Sequence, residues 1–143
     1  MSDKWRVTSG EQARRASRRQ DEERPQGFRD LLVWQKGMAL TKAIYRLSQI
    51  FPTEEKFGLV AQMRRCAVSV PSNIAEGQAR HTTGEFIQFI SHAEGSLAEL
   101  YTQLRLAVEL GFCSEAEAAM PFELIEELRK MLNALRRKLV TRH

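Results

Sequence analysis

The chain has 143 residues, of which 43% are hydrophobic and 28% charged, with four prolines, eight glycines and two cysteines. That length holds one ordinary domain, or one domain with an extension, and the composition excludes a collagen-like, disulfide-scaffolded or wholly disordered protein. Lys and Arg outnumber Asp and Glu by 22 to 18, a net charge of +4, which makes a single copy only a modest attractor for polyanions.

No stretch of about 18 uncharged apolar residues exists, so no membrane-spanning helix is expected. The first twenty residues carry Lys4, Arg6, Arg14, Arg15, Arg18 and Arg19 without an apolar run, so no secretory signal is expected either. Cys66 and Cys113 stand far apart and outside any CxxC or Cys/His cluster. Neither a zinc site nor a disulfide framework is indicated, and a reduced, cytoplasmic protein is the expectation.

Residues 1–27 hold seven basic and five acidic side chains, with Trp5 and Val7 the only large apolar residues beyond the first. Such a segment buries too little surface to offset its ordering entropy, and reads as a disordered or loosely helical extension ended by Pro25 and Gly27. Its Arg14-Arg15 and Arg18-Arg19 pairs suit a nucleic-acid-binding arm or a solubilising tail. The domain proper is expected over 28–143.

Four helical patterns follow and no strand. In the first, Val33, Gly37, Leu40, Ile44, Leu47 and Phe51 recur at helical spacing, widened by Trp34, Met38 and Tyr45. Asp30 is the expected N-cap and Pro52 the stop. The second is expected to begin at Thr53, with Glu54 and Glu55 in its first turn, and to end at Gly77 as a C′ glycine. Its stripe is Leu59, Met63, Cys66, Val70 and Ile74, and Pro71 within it is expected to kink or break the helix. The third opens with a capping box, Thr82 to Glu85, and carries a seam of Phe86, Ile90, Ala93, Leu97, Leu100, Leu104 and Ala107 up to Gly111. The fourth opens with a second box, Ser114 to Glu117, and continues with Ile125, Leu128, Leu132, Leu135 and Leu139. Helices of roughly 22–30 residues joined by short connectors predict an all-α, antiparallel up-down-up-down four-helix bundle.

Nothing in this pattern assembles an active site. A di-iron bundle needs Glu-x-x-His pairs, and no glutamate here has a histidine three residues on. Phosphate-loop and nucleophile-elbow motifs are missing, and Cys66 falls on the core stripe as inert packing. No enzyme activity, metal or cofactor is expected.

The informative stretch is Gln62 to Gly77. Helical phase separates a core stripe, a polar face (Arg65, Ser69, Ser72, Glu76) and a third stripe of Ala61, Val68 and Ala75. A helix apolar on two sides needs two burial partners. Either another helix of the same chain covers both, or the third stripe is a subunit interface. Ser91, Gly95 and Ala98 form a comparable small-residue strip on helix three. Glu76 sits at a disfavoured helix C-terminus, where Arg80 could neutralise it locally or a partner could. Asn73 is expected to repair the backbone that Pro71 breaks. Outward bases comprise Lys42, Arg46, Arg64, Arg65 and Arg80, with Arg129, Lys130, Arg136, Arg137, Lys138 and Arg142 on helix four. They serve as a solvated, dipole-complementing face or as a polyanion surface. No stacking platform of aromatics interleaved with these bases is expected, so any nucleic-acid binding should be backbone-directed and salt-sensitive, with little base reading.

The segments Phe28 to Lys36, Gln62 to Gly77 and Phe86 to Phe89, in particular VWQK and SVPSNIAEG, resemble the bacterial four helix bundle family, also known as the 23S ribosomal RNA intervening-sequence proteins. The likeness runs from about Phe28 to Leu110 and more loosely beyond. It implies a cytosolic, non-enzymatic homopentameric barrel. A related branch, the accessory variability determinant of diversity-generating retroelements, binds a reverse transcriptase and nucleic acid. The signature positions carried over are Trp34, Arg64, Arg65, Ser69, Asn73, Glu76, Gly77 and Arg80. Gly37 departs from the pattern, since alanine would be the better helix former. Five copies would carry about +20, five times the +4 of one chain, enough to hold a polyanion. Possible partners are therefore copies of itself, RNA or DNA, and a protein such as a reverse transcriptase.

Overall fold

A computed structural model describes residues 27–28 and 31–142, with no account of the Arg142 side chain. The extension over 1–26 and the expected cap Asp30 lie outside the described residues. The described chain forms α1 (Leu32–Ser48), a 3-10 turn (Thr53–Glu55), α2 (Leu59–Gln78), α3 (Thr83–Glu109) and α4 (Glu115–Arg142), with no strand among the described residues. Each helix packs on its neighbour in sequence, and α1 closes the ring against α4. This is the antiparallel four-helix bundle that the spacing predicts. The helices have 17, 20, 27 and 28 residues, so the first two are shorter than the sequence pattern implies.

The expected seams fill the core. Leu40, Ile44, Met63, Ile74, Ile90, Leu97, Leu100, Leu104, Leu128 and Leu132 are essentially inaccessible. Gln103 also turns inward on α3; its Nε2 donates to Glu99 while its Oε1 has no partner.

One capping box forms in full and the other by half, since the Glu85 carboxylate accepts from the Thr82 hydroxyl rather than from the Thr82 N–H. Thr82 accepts from the Glu85 N–H at 3.2 Å, and Ser114 and Glu117 exchange side-chain to backbone bonds at 2.9 and 3.0 Å. At the other end of α3, Gly111 adopts φ +78°. Its N–H reaches the Val108 carbonyl, while that of Phe112 reaches Ala107. Two bonds of this kind satisfy carbonyls that the helix end would otherwise leave open.

Three expectations for α2 are corrected. The helix starts at Leu59, because Gly58 is non-helical (φ −99°, ψ −112°) and separates it from the Thr53 turn. Glu55 rather than Thr53 then caps it, accepting from the Leu59 N–H at 3.3 Å. Second, α2 runs unbroken through Pro71. Third, Gly77 lies inside the helix without positive φ, so its missing side chain serves contact rather than a left-handed cap.

Candidate functional site

The signature stretch of α2 is first a device for packing helices closely. Proline at 71 supplies no N–H to the Ala67 carbonyl. The Thr41 hydroxyl of α1 takes that place, 3.1 Å from Ala67 O and 2.9 Å from Gly37 O. A Cβ at Gly37 would stand 3.2 Å from Pro71 Cβ, so glycine is what lets α1 approach near enough for that bond. The repair expected of Asn73 is made by Thr41 instead; Asn73 Nδ2 donates to Ser69 O at 2.7 Å.

On the α3 side, the Ser69 hydroxyl lies 2.6 Å from both Cys66 O and the Ser96 hydroxyl. The Cys66 thiol donates to Ser96 O at 3.0 Å. Burial, reinforced by the Glu99 carboxylate, pushes that thiol up to about 12, leaving a poor nucleophile. A polar groove of about 270 Å³ between α2 and α3 is lined by Gln62, Arg65, Cys66, Ser69, Ser96 and Glu99.

The third stripe of α2 remains partly open within one chain. Ala61 and Ala75 are half-buried, and Val68 is 40% exposed. By helical phase the stripe borders the side of α1 that carries Trp34, Met38 and Tyr45. Trp34 and Met38 are half-buried, with Trp34 stacked edge-on against Phe28 at 5.3 Å; Tyr45 is 41% exposed. The apolar face therefore spans two helices and includes the signature tryptophan. Ser91, Gly95 and Ala98 are exposed, and a Cβ at Gly95 would meet nothing within 4 Å.

The candidate bases separate into engaged and free. Arg64 is engaged: Nε donates to Ser48 Oγ at 2.9 Å, Nη2 to Tyr45 O at 3.2 Å, and the guanidinium lies 4.7 Å from the Tyr45 ring centre. It closes the C-terminus of α1, where cations complement exposed carbonyls. Arg136 is held by Glu94 at 3.1 Å and Asn133 at 2.8 Å. Arg129 pairs with Glu126.

Lys42, Arg46, Arg65, Arg80, Arg137 and Lys138 are exposed, and none has a carboxylate within ion-pair distance among the described residues. They do not converge on one patch. Arg80 does not neutralise Glu76, which is itself exposed; it folds over the Phe89 ring, 4.7 Å from its centre.

Charge is nevertheless polarised along the bundle. In the half made of residues 41–68 and 97–127, six Lys and Arg meet nine acids. In the opposite half (31–40, 69–96 and 128–141) seven meet three, so the end holding the last turns of α4 is the positive one. Lys130, Arg137 and Lys138 supply unpaired charge there.

Aromatics and bases that look unrelated along the chain also meet in space. Arg80 pairs with Phe89, Arg64 with Tyr45, and Arg105 with Phe122 at 4.4 Å. The expectation that aromatics interleaved with the bases are absent is therefore corrected: the pairs form on the surface, and Tyr45 already stands between Lys42 and Arg46 in the chain. No sequence signal finds these pairs before the helix register is known.

Among the described residues, no group of three or more His, Cys, Asp or Glu is placed to hold a metal, and no helix is long and apolar enough to cross a membrane. No curated protein matches the chain significantly. The sequence profile of the 23S rRNA-intervening sequence proteins matches residues 29–134, which takes in α1 to α3 and most of α4. The SVPSNIAEG segment that marks α2, and the close helix contacts that it creates, lie within that span. The chain belongs to the 23S rRNA-intervening sequence protein family.

Proposed function

We propose that this chain is a non-enzymatic, cytoplasmic accessory protein that assembles into a homo-oligomer, a pentamer by family resemblance, and binds RNA or DNA mainly through the phosphate backbone. The observation that carries the reading is the charge polarity of the bundle. Lys130, Arg137 and Lys138 stand unpaired in a half where bases outnumber acids seven to three. Copies arranged side by side in parallel would gather these ends into one cationic rim, and cation density of that kind attracts polyanions. Self-association is supported by the Val68 face, whose apolar area continues onto α1 and is left partly open by the chain's own helices.

The test is fluorescence anisotropy of labelled RNA with the full chain. Binding should weaken steeply between about 50 and 200 mM salt. Arg137→Glu with Lys138→Glu should weaken it further, and Arg65→Glu more than Arg64→Glu once folding is matched. A folded oligomer that binds no RNA or DNA at low salt refutes the proposal.

A second reading, a scaffold for a protein partner such as a reverse transcriptase, is favoured by one observation. Phe57 is 89% exposed and Leu110 61% exposed at the acidic end, and exposed apolar side chains of this size suit protein contacts. Nuclease-resistant co-purification of one stoichiometric protein would support that reading.

A further inference from the structure

We propose that Arg80, just after the end of α2, and Phe89 and His92, in the first three turns of α3, form a stacking step for an unpaired base of single-stranded nucleic acid. The inference rests on the nucleic-acid reading above and adds to it a site and a strand preference. Phe89 is half-buried and fixed in place. A Cβ at Gly77 would come within 2.8 Å of Phe89 Cβ, so the glycine lets α3 settle on the backbone of α2 with the ring at the rim of the contact. The Arg80 guanidinium lies 4.7 Å from the ring centre. The His92 imidazole lies 5.7 Å away, tilted by 52°. Both outer groups are exposed.

Among the described residues three arginines lie on aromatic rings, and their hydrogen-bonding groups distinguish them. Those of Arg64 are committed to Ser48 and Tyr45, and Arg105 is paired with Glu115. Arg80 has neither a carboxylate nor a carbonyl partner for its guanidinium among the described residues, although Glu76 lies one turn away. A guanidinium lying over a ring, exposed and with its donors uncommitted among the described residues, offers a stacking plane and phosphate donors together. Aromatic and guanidinium planes of this kind hold unpaired bases and are closed to the stacked bases of a duplex. The groove between α2 and α3 that Arg65 and Glu99 line takes in none of Arg80, Phe89 and His92. The site is therefore separate from that groove.

The experiment compares the full chain binding a fluorescein-labelled oligoadenylate and a labelled duplex of the same length and salt. Wild type should prefer the single strand. Arg80→Lys keeps the charge and loses the plane, while His92→Ala removes an exposed ring; neither touches the core. Each should lower single-strand affinity about 5- to 150-fold, the range given by loss of one base stack, and leave duplex affinity within about twofold. Phe89→Leu, which keeps bulk against Gly77, should act likewise. Equal wild-type affinity for both probes, or single-strand binding unmoved in Arg80→Lys and His92→Ala, overturns the stacking step while leaving backbone binding intact. Failure to bind either probe overturns the broader proposal as well.

Discussion

Gly77→Ala is the most discriminating perturbation of the helix contacts, because intrinsic preference and packing pull in opposite directions. Alanine is favoured over glycine by up to about 1 kcal/mol within a helix, less in the last turn. The added Cβ would lie 2.8 Å from Phe89 Cβ and 2.9 Å from Phe86 Cδ1, whereas carbon pairs settle near 3.5–4.0 Å. Phe86 can swing away, but a Cβ moves only with its backbone, so α3 must retreat from α2 by several tenths of an ångström. Overpacking of this kind costs about 1–3 kcal/mol. Net destabilisation should be about 1–2 kcal/mol, a fall in Tm of about 2–8 °C for a chain of this size. Gly95→Ala is the matched control on α3. Its Cβ would meet nothing within 4 Å, so propensity acts alone and stability should rise by about 0.5–1 kcal/mol. Thermal and urea denaturation followed by circular dichroism at fixed protein concentration reads both. A Gly77→Ala variant as stable as wild type would refute the close-contact argument. A destabilised Gly95→Ala would place another surface against that strip.

Two further outcomes follow from the same contacts. Thr41→Val keeps the side-chain shape but leaves the buried Ala67 carbonyl without its donor, and should cost about 1–2 kcal/mol in urea titration; an unchanged midpoint would show that Thr41 does not repair the proline gap. The Cys66 thiol, pushed up to about 12 mainly by burial, favours the protonated form in the folded state. Its contribution is whole below the unfolded thiol value and is lost as pH rises from about 9 towards 12. At pH 8 Cys66 should therefore resist alkylation until the chain is denatured, as mass spectrometry would show, and rapid native labelling at that residue would contradict its placement.

The bundle was legible because every helix carries its own periodic stripe, and the Ser114 and Thr82 boxes mark two starts with local chemistry. What escaped the sequence was whatever depends on a second helix. Gly37 looks like a poor helix former until Pro71 is seen 3.2 Å from where its Cβ would be. Pro71 looks like a break until Thr41 is found on the stranded carbonyl. Arg64 reads as a free cation, yet it closes the end of α1. Arg80 and Phe89 stand nine positions apart, and only the fold of the intervening turn stacks them. Sequence alone places the start of α2 too early, because the capping preference of Thr53 is local, whereas Gly58 interrupts the helix after a single turn. The half-covered Val68 stripe was visible as a second apolar side of α2, and the structure adds that Trp34, Met38 and Tyr45 extend it.

Light scattering of the purified full chain at micromolar concentration tests self-association most directly. The account predicts an oligomer, about 82 kDa if five chains of 16.4 kDa assemble, and predicts that Val68→Glu dissociates it while helical content is retained. A stable particle of 16.4 kDa for the wild-type chain would contradict the account.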